Sequence, residues 1–494
     1  MKVKYIITFI LMLVSIIILS GCEQTDETSD TSVEEGISIL DIPDPEKSGN
    51  VKEFDIVAKE SEWDFGGNTV ANVWTYNGTV PGEEIRVQEG DLVRVHLKNE
   101  LSEPVTIHFH GVTLPNKMDG VAGVTQDGVQ PGDIFTYEFS ADNPGTYWYH
   151  SHQNSAEQVD KGLYGAFIVE PNNKVYDSEY TLILDEWNMG RNSSGGMMGG
   201  MMGGSSGERD TDMLYGTYTV NGKIGQYIEP IEVYEGEVIR LRFVNAGYRK
   251  HLLRFNGEPY RVVEIDGNPI YNTNYGSGPL EITPSERIDI EIKIDNTAEW
   301  QIESVVNTEA AEDMVINVLP KKADDDQKET VEIGEEESEN GSVYMDPIFE
   351  EIPTPDIEYD MFLGAGMGMG MGNSTFTIND EVFPDTESIE VEEDDIIKAT
   401  LINESQFDHP MHLHGHYFQI IAINGEKLDN PIVKDMINVE PGEFIEIMFQ
   451  ADNPGAWAFH CHDLNHSAGG MMTLVEYQGY YSPFDIHERE NQPE

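Results

Sequence analysis

The sequence ADNPGTYWYHSH at residues 141–152 recurs as ADNPGAWAFHCH at residues 451–462. A turn containing Pro-Gly precedes both copies at the same distance, at residues 130–133 and 440–443. All of these matches are offset by 310 residues without a gap. Proline and glycine mark turns, and the aromatic residues that follow them are typical of a buried strand. The chain therefore contains one β-rich unit at least twice.

A weaker third copy lies between these two, offset by 153 residues from the first. Residues 284–286 match the first turn and residues 295–296 match Asp142 and Asn143, but Glu303 and Val305 replace the two histidines. Repeated β units of this size, with few helical patterns, predict an all-β chain of three Greek-key β-sandwich domains. We predict a first domain at 51–172, a second without metal ligands at 173–320, and a third at 346–482.

The first 21 residues are typical of an export signal, with Lys2 and Lys4 before an apolar run from Tyr5 to Leu19. The run ends in Leu-Ser-Gly-Cys, which resembles a bacterial lipobox and implies a lipid on Cys22. A transmembrane anchor is the alternative, but the run is shorter than the span of about 20 residues that a bilayer needs. We therefore expect an exported protein, anchored by lipid at the outer face of the cytoplasmic membrane or at the cell surface.

Acidic residues dominate the chain, whose formal net charge is −62. Such a charge excludes nucleic acid as a partner and indicates a soluble, halophile-like surface in a salty medium. We expect a monomer with an acidic flexible tether at residues 22–50, a charged linker at 321–345 and a C-terminal tail at 483–494.

Ten of the 14 histidines fall in four short clusters. A lone histidine is usually an ordinary core or surface residue, but clusters at fixed spacing beside a cysteine indicate metal ligands. The clusters are His108 and His110; His150 and His152; His409, His412 and His414; and His460, His462 and His466. The other four, His96, His251, His416 and His487, match no ligand position and are expected to be ordinary residues.

The last cluster surrounds Cys461, and it can serve two metal sites. On a strand, His460 and His462 face one way and Cys461 faces the other. A thiolate, two imidazoles and a distant thioether form the ligand set of a blue electron-transfer copper. A structural zinc site is the alternative, but zinc would not need the flanking His-x-His pairs. The candidate ligands of the blue copper are His409, Cys461, His466 and Met471.

The remaining eight histidines form four His-x-His pairs, two from the first repeat and two from the last. Eight imidazoles are too many for one metal ion, but they suit a cluster of three copper ions with open positions for oxygen. Because the pairs come from two repeats, we expect the cluster at the interface between them.

These four motifs resemble those of the multicopper oxidases, which include laccases, bilirubin oxidases and cuprous oxidases, over roughly residues 51–482. The resemblance implies cupredoxin-like domains and four copper ions that couple one-electron oxidation of phenolic or aromatic donors, or of Cu(I), to the reduction of O2 to water. By motif, it implies type 1 copper at His409, Cys461, His466 and axial Met471, and type 2 copper at His108 and His412. It implies one type 3 copper at His110, His150 and His462, and the other at His152, His414 and His460.

The resemblance also implies catalytic roles for two residues. Cys461 would pass electrons to its two neighbouring histidines along one strand. Asp119, nine residues after His110, matches an acidic position near the cluster in related laccases and is a candidate proton relay. A surface turn residue is the alternative reading of Asp119. Ser467 stands where some bacterial laccases carry an acid, so we expect proton delivery to differ in detail.

Two segments rich in methionine and glycine, at 195–204 and 366–372, bear on the electron donor. Their glycine density excludes ordinary core elements, and soft thioethers favour Cu(I). Adaptable loops are the alternative, and the stretch before His409 offers only Asp408 as an acidic residue. Two rival functions are a copper-sequestering lipoprotein without oxidase turnover and a copper nitrite reductase. Neither needs the full set of cluster ligands.

Overall fold

The computed structural model describes residues 36–44, 49–174, 176–189, 216–306, 309–322, 344–367 and 374–494. The predicted signal peptide and Cys22, residues 195–204, most of the charged linker and residues 368–372 therefore lie outside the described residues. In the described part, no helix is both long enough and apolar enough to cross a membrane.

The first repeat forms two four-stranded sheets, ordered β3-β2-β5-β7 and β4-β9-β8-β6. Its strands are β2 (Val51–Asp64), β3 (Val70–Tyr76), β4 (Gly82–Gln88), β5 (Asp91–Asn99), β6 (His108–His110), β7 (Ile134–Ala141), β8 (Gly145–His150) and β9 (Tyr164–Glu170). Alternation along β5 buries Val93, Val95 and Leu97 completely. Strands with this period place one apolar face in the core of a sandwich.

The second repeat forms a six-stranded and a five-stranded sheet, ordered β11-β10-β13-β18-β15-β16 and β12-β20-β19-β14-β17. Its strands are β10 (Ser178–Trp187), β11 (Thr217–Val220), β12 (Ile231–Tyr234), β13 (Val238–Asn245), β14 (His251–Phe255), β15 (Tyr260–Ile265), β16 (Asn268–Pro269), β17 (Leu280–Ile282), β18 (Arg287–Lys293), β19 (Trp300–Val306) and β20 (Glu309–Lys321). The two sheets enclose a separate apolar core that includes Leu241, Phe243 and Ile290.

The third repeat also has a six-stranded and a five-stranded sheet, ordered β22-β21-β24-β29-β26-β27 and β23-β31-β30-β25-β28. Its strands are β21 (Ile357–Met367), β22 (Ser374–Ile378), β23 (Ile389–Val391), β24 (Ile396–Asn403), β25 (His409–Leu413), β26 (Phe418–Ile423), β27 (Glu426–Lys434), β28 (Met436–Val439), β29 (Phe444–Gln450), β30 (Ala456–Cys461) and β31 (Met472–Tyr477). Its core is continuous with that of the first repeat in one cluster of buried residues.

The pairing of strands repeats with the sequence. β2, β10 and β21 pair in parallel with β5, β13 and β24, and β4, β12 and β23 pair in parallel with β9, β20 and β31. The prediction of an all-β chain built from repeated sandwiches is confirmed. The domain boundaries at 172/173, 320/321 and 345/346 stay predictions.

One prediction for the ends of the chain needs correction. Strand β1 (Ile37–Ser38) pairs in parallel with β32 (Tyr480–Tyr481), and Ile39 is fully buried. The predicted flexibility of the tether is therefore wrong for residues 37–41, because backbone pairing with the end of the third repeat and the burial of Ile39 fix this stretch. The tail at 483–494 packs against the first repeat, through contacts described below.

Within the described residues, helices are few and short. They are α1 (Ser155–Gln158), α2 (Leu464–Ala468) and three 3-10 helices at Ile39–Asp41, Asn116–Met118 and Gly225–Tyr227. Helix α2 matters for the site, because it carries His466. The Asp463 side chain caps it by accepting a hydrogen bond from the Asn465 backbone N–H.

Candidate metal centres

Two equivalent strand pairs bring the His-x-His motifs together. In the first repeat, β6 runs antiparallel to β8, with His108 opposite His150. In the third repeat, β25 runs antiparallel to β30, with His412 opposite His460. Because alternate residues of a strand share a face, each pairing places its histidines side by side.

The eight paired histidines from the two repeats meet in one buried cluster, and none of their side chains is more than 3% exposed. The Nε2 atoms of His414 and His460 are 3.0 Å apart, and those of His152 and His460 are 3.4 Å apart. The Nε2 atoms of His150 and His462 are also 3.4 Å apart. Ligand atoms lie within 4.8 Å of one another in three sets: His108, His110 and His412; His110, His150 and His462; and His152, His414 and His460.

These rings offer lone pairs for a metal ion. Burial lowers the pKa of His152 to about 4 and that of His412 well below its usual value. The Nδ1 atoms of His108 and His412 each donate to a backbone carbonyl at 2.8 Å, of Asp119 and Asp435 respectively. The Nε2 atoms of both rings are buried without a hydrogen-bond partner. Rings with inward nitrogens that lack a hydrogen-bond partner fit bound metal cations, which would take up those lone pairs.

Asp119 lies inside this cluster and is only 1% exposed, so its reading as a surface turn residue is wrong. Its Oδ2 atom accepts from His414 Nδ1 at 2.9 Å, and its Oδ1 atom lies 3.2 Å from His108 Nδ1. Gly120 follows with a φ of +85°, and a Cβ there would lie 1.9 Å from the Ile107 carbonyl oxygen. The tight turn thus directs the carboxylate inward, and its role as a proton relay stays a prediction.

A second candidate metal site lies on the other face of β30. The Cys461 Sγ atom is 3.7 Å from His409 Nδ1 and 3.6 Å from His466 Nδ1, and all three residues are buried. Met471 belongs to the same apolar cluster as Cys461, whereas Met472 packs with Ala458 in another. The packing therefore favours Met471 over Met472 as the neighbour of this site. Burial raises the pKa of the Cys461 thiol, and a bound metal ion would favour the thiolate instead.

The second repeat contributes an arginine to the cluster, which the sequence patterns did not predict. Arg287 is fully buried and forms a two-pronged ion pair with the Asp435 carboxylate, with Nη1 at 2.8 Å from Oδ1. The Asp435 carbonyl holds His412, and its Oδ1 atom lies 3.5 Å from His110 Nε2. The middle repeat therefore supports residues that orient the cluster.

His251 was expected to be an ordinary residue, and it occupies the position that the candidate ligand His409 occupies in the third repeat. Leu253 of β14 is opposite Ser304, as Met411 of β25 is opposite Cys461. His251 and Ser304 thus occupy the places of His409 and Cys461. In this repeat, the His251 ring contacts Ser304 Oγ and Glu186 Oε1, each at 2.5 Å. The second repeat therefore has hydrogen-bonded polar side chains where the third repeat has the imidazole of His409 and the thiol of Cys461.

Residues Pro493 and Glu494 also reach the cluster, and no motif indicated them. The Pro493 carbonyl accepts from His152 Nδ1 at 2.6 Å. The Glu494 Oε1 atom lies 3.0 Å from His460 Nδ1.

Three profiles of a family described as "Multicopper oxidase" match residues 57–174, 178–319 and 361–479. The chain is 30% identical to the "Multicopper oxidase MmcO" of Mycobacterium tuberculosis, with 87% of this chain and 88% of that protein covered. It is 28% identical to the "Iron transport multicopper oxidase FET3" of Kluyveromyces lactis, with 84% and 74% covered. A solved multicopper oxidase of Campylobacter jejuni, described as a metallo-oxidase, is similar with a TM-score of 0.70 at 25% identity, with 90% and 94% covered.

Proposed function

This chain belongs to the multicopper oxidase family, and on that premise we propose that its histidine clusters hold four copper ions. It is a copper oxidoreductase of cupredoxin-like β-sandwiches that oxidises a reductant, such as a phenol or a metal ion, with O2 as acceptor. When bound, the copper ions would supply single-electron transfer from the donor and four-electron reduction of O2 to water.

We assign the ions by the residues that surround them. The type 1 site is His409, Cys461, His466 and Met471, and the type 2 site is His108 and His412. The type 3 sites are His110, His150 and His462, and His152, His414 and His460. The observation that carries this assignment is the convergence of buried imidazole nitrogens from two repeats, with His108 Nε2 and His412 Nε2 unpaired. A protein that only stores copper would not need so ordered a set.

The chain links the two metal sites through one strand. Cys461 faces His409 and His466, while its neighbours His460 and His462 face the cluster. The path between the sites therefore runs through covalent bonds of consecutive residues. Asp119 orients two cluster rings through their Nδ1 atoms, and we propose that its carboxylate also moves protons to the cluster.

The electron donor is proposed to act at the outer edge of His466. This ring turns Nδ1 toward Cys461 and Nε2 toward Asp463, whose Oδ2 atom is 3.4 Å away. Phe376 stacks on the ring at 3.9 Å between centroids. His466 is 7% exposed. His409, in contrast, is fully buried, and its outward Nε2 atom is occupied by Ser405 Oγ at 2.7 Å. His466 thus offers the shorter route from a bound donor.

Acidic groups near this edge favour cationic donors such as Cu(I), and Phe376 favours aromatic ones. Asp463 is 21% exposed and Asp408 is 41% exposed. An Asp463→Asn variant should raise KM for Cu(I) several-fold and leave KM for a dimethoxyphenol unchanged, because the phenol is neutral. Equal effects on both donors would contradict a role for Asp463 in attracting cations. The two donors, measured on the same sample, serve as each other's control.

A His412→Ala variant tests the copper assignment. We expect the blue colour to remain, because His412 lies outside the type 1 site, while O2 uptake with either donor is lost. Copper analysis should show less copper per chain than in the unmodified protein. Full O2 uptake in this variant would overturn the cluster assignment.

We also propose that the protein is a monomer held at the outer face of the cytoplasmic membrane or at the cell surface by a lipid on Cys22. The Lys2 and Lys4 start, the apolar run and the Leu-Ser-Gly-Cys ending support this location. A Cys22→Ala variant should not incorporate labelled fatty acid, whereas the unmodified protein should. Light scattering on the detergent-solubilised protein should give the mass of one chain.

A further inference from the structure

The segment Asp485–Glu494 is bound to the first repeat by backbone and side-chain contacts. The Asn154 backbone N–H donates to the Gln492 carbonyl at 2.7 Å. The Gln492 N–H donates to Gln153 Oε1 at 3.0 Å, and Asn491 Oδ1 accepts from the Gly128 N–H at 2.9 Å. These contacts fix the segment beside the strand end that carries His152.

The next two residues enter the histidine cluster. The Pro493 carbonyl accepts from His152 Nδ1 at 2.6 Å. The Glu494 side chain is 5% exposed, and its Oε2 atom accepts from Ser155 Oγ at 2.6 Å. Its Oε1 atom lies 3.0 Å from His460 Nδ1 and 3.4 Å from His152 Nε2. The carboxylate thus contacts one histidine from each of two repeats.

Contacts of this kind decide how an imidazole binds a metal ion. An acceptor at Nδ1 holds the hydrogen on that atom, leaves the lone pair on Nε2, and fixes the plane of the ring. Within this set of three rings, Asp119 is the acceptor for His414 and Pro493 is the acceptor for His152. His460 Nδ1 donates to the Cys461 carbonyl at 3.1 Å, and the Glu494 carboxylate lies 3.0 Å from the same atom as a charged neighbour.

The negative charge of the Glu494 carboxylate would also stabilise a cation bound by the neighbouring rings. Its Oε1 atom is buried and makes no hydrogen bond, so its negative charge acts on the two rings only through space, at 3.0 Å from His460 Nδ1 and 3.4 Å from His152 Nε2. A buried carboxylate in such a position is costly unless a cation lies nearby. A copper ion bound by these rings would supply that positive charge, and the carboxylate would in turn favour retention of the ion.

We propose that Pro493 and Glu494 are positioning residues for the copper ion assigned to His152, His414 and His460. The inference rests on the proposed function, since it presumes that these three rings hold copper. The segment clamps the ring from the first repeat to the ring from the third, so that their Nε2 atoms stay 3.4 Å apart.

Three variants of the full chain test this role: Glu494→Ala, Glu494→Gln and, as a matched control, Glu488→Gln. Glu488 is an exposed carboxylate of the same segment. Copper retained per chain is measured during dialysis against increasing chelator, with the blue absorption and the electron paramagnetic resonance spectrum recorded on each sample. Urea unfolding midpoints establish that each variant is folded.

Glu494→Ala should release copper from this site at a chelator concentration about 10- to 100-fold lower than the unmodified protein, the usual effect of losing a residue that supports a metal ligand. Its partner type 3 ion should then give a new paramagnetic signal, while the blue absorption stays unchanged. Glu494→Gln keeps an oxygen acceptor and should retain more copper than Glu494→Ala. Glu488→Gln should match the unmodified protein.

Retention of all copper by Glu494→Ala would overturn the proposal, and slow O2 reduction by that copper-replete variant would assign the carboxylate to proton transfer instead. A new paramagnetic signal in Glu488→Gln as well would also overturn it, because the effect would then follow from charge alone. If the unmodified protein itself lacked a spectroscopically silent copper pair, the proposed function would fail rather than this inference.

Discussion

Loss of the ion pair between Arg287 of the second repeat and Asp435 of the third should lower the free energy of unfolding of the protein. Arg287 is fully buried, and both prongs of its guanidinium meet the carboxylate, which is 2% exposed. Replacing Arg287 with methionine keeps most of the apolar volume but leaves Asp435 buried without its cation. Breaking a buried pair from one side costs about 3–5 kcal/mol, so the free energy of unfolding should fall by that amount.

A surface pair of the same second repeat gives the matched control. Lys293 lies 3.6 Å from Asp295, and the two side chains are 57% and 60% exposed. Exposed pairs contribute roughly 0–1 kcal/mol, so Lys293→Met should be nearly neutral. The assay is urea unfolding of the copper-free protein followed by tryptophan fluorescence, with midpoints and slopes compared between variants.

A double variant isolates the energy of the Arg287–Asp435 interaction from the other effects of each substitution. Arg287→Met with Asp435→Leu removes both charges and should cost less than the sum of the two single variants, because no buried charge is left unpaired. The Asp435 carbonyl that holds His412 is retained in all of them. Costs that simply add, or an Arg287→Met variant as stable as the Lys293→Met control, would refute the reasoning.

Three further predictions concern the two metal sites. Cys461→Ser should abolish the blue absorption and donor oxidation while copper in the cluster remains, because Cys461 contacts only the type 1 site; a blue variant would contradict the assignment. Asp119→Asn should slow O2 consumption by about 100-fold or more, as expected for loss of a proton-transfer group, while anaerobic bleaching of the blue colour by the donor stays fast; equal slowing of both would oppose the relay. Copper-free protein should lose stability as pH falls from about 6.5 toward about 3, because burial lowers the pKa of His409 to about 3, so the unfolded chain binds more protons in that window. His409→Gln should flatten this slope, and an unchanged slope would exclude His409 as its source.

The repeated sandwiches and the clustering of the candidate metal ligands were predictable because their signals are local. Turns of Pro-Gly and strands of alternating residues recur at 141–152 and 451–462, and the ligands fall at strand spacing within them. Asp119 was singled out by the resemblance to laccases, nine residues after His110, and the structure places it against two cluster rings. Short-range patterns thus identified the imidazoles and the thiol that the structure brings together in its candidate metal sites.

The supporting residues were not predictable, since they depend on contacts between distant parts of the chain. Arg287 meets Asp435 across 148 residues, and no spacing rule links an arginine of one sandwich to an aspartate of another. Glu494 approaches His460 from a segment that the composition marks only as a tail. Ser467 stands where some bacterial laccases carry an acidic residue, and its Oγ atom lies 3.4 Å from His460 Nδ1. The carboxylate near that nitrogen comes from Glu494 instead.

In the middle repeat, sequence spacing did not reveal which residues are equivalent to those of the third repeat. Its alignment with the other repeats reveals the loss of two histidines at Glu303 and Val305, but sequence spacing alone did not relate His251 to His409. Strand register made that relation visible, because β14 and β25 pair with their neighbours in the same way. Three-dimensional equivalence can therefore persist where insertions have removed a constant offset.

The most direct test of the account is the stoichiometry of O2 consumption by the copper-loaded protein with a limiting amount of one-electron donor. We predict that one O2 is consumed for every four donor molecules and that no hydrogen peroxide accumulates. O2 uptake should disappear when copper is removed and return when copper is restored. Accumulation of peroxide at one O2 per two donor molecules, or no O2 uptake by protein that carries all four copper ions, would contradict the account.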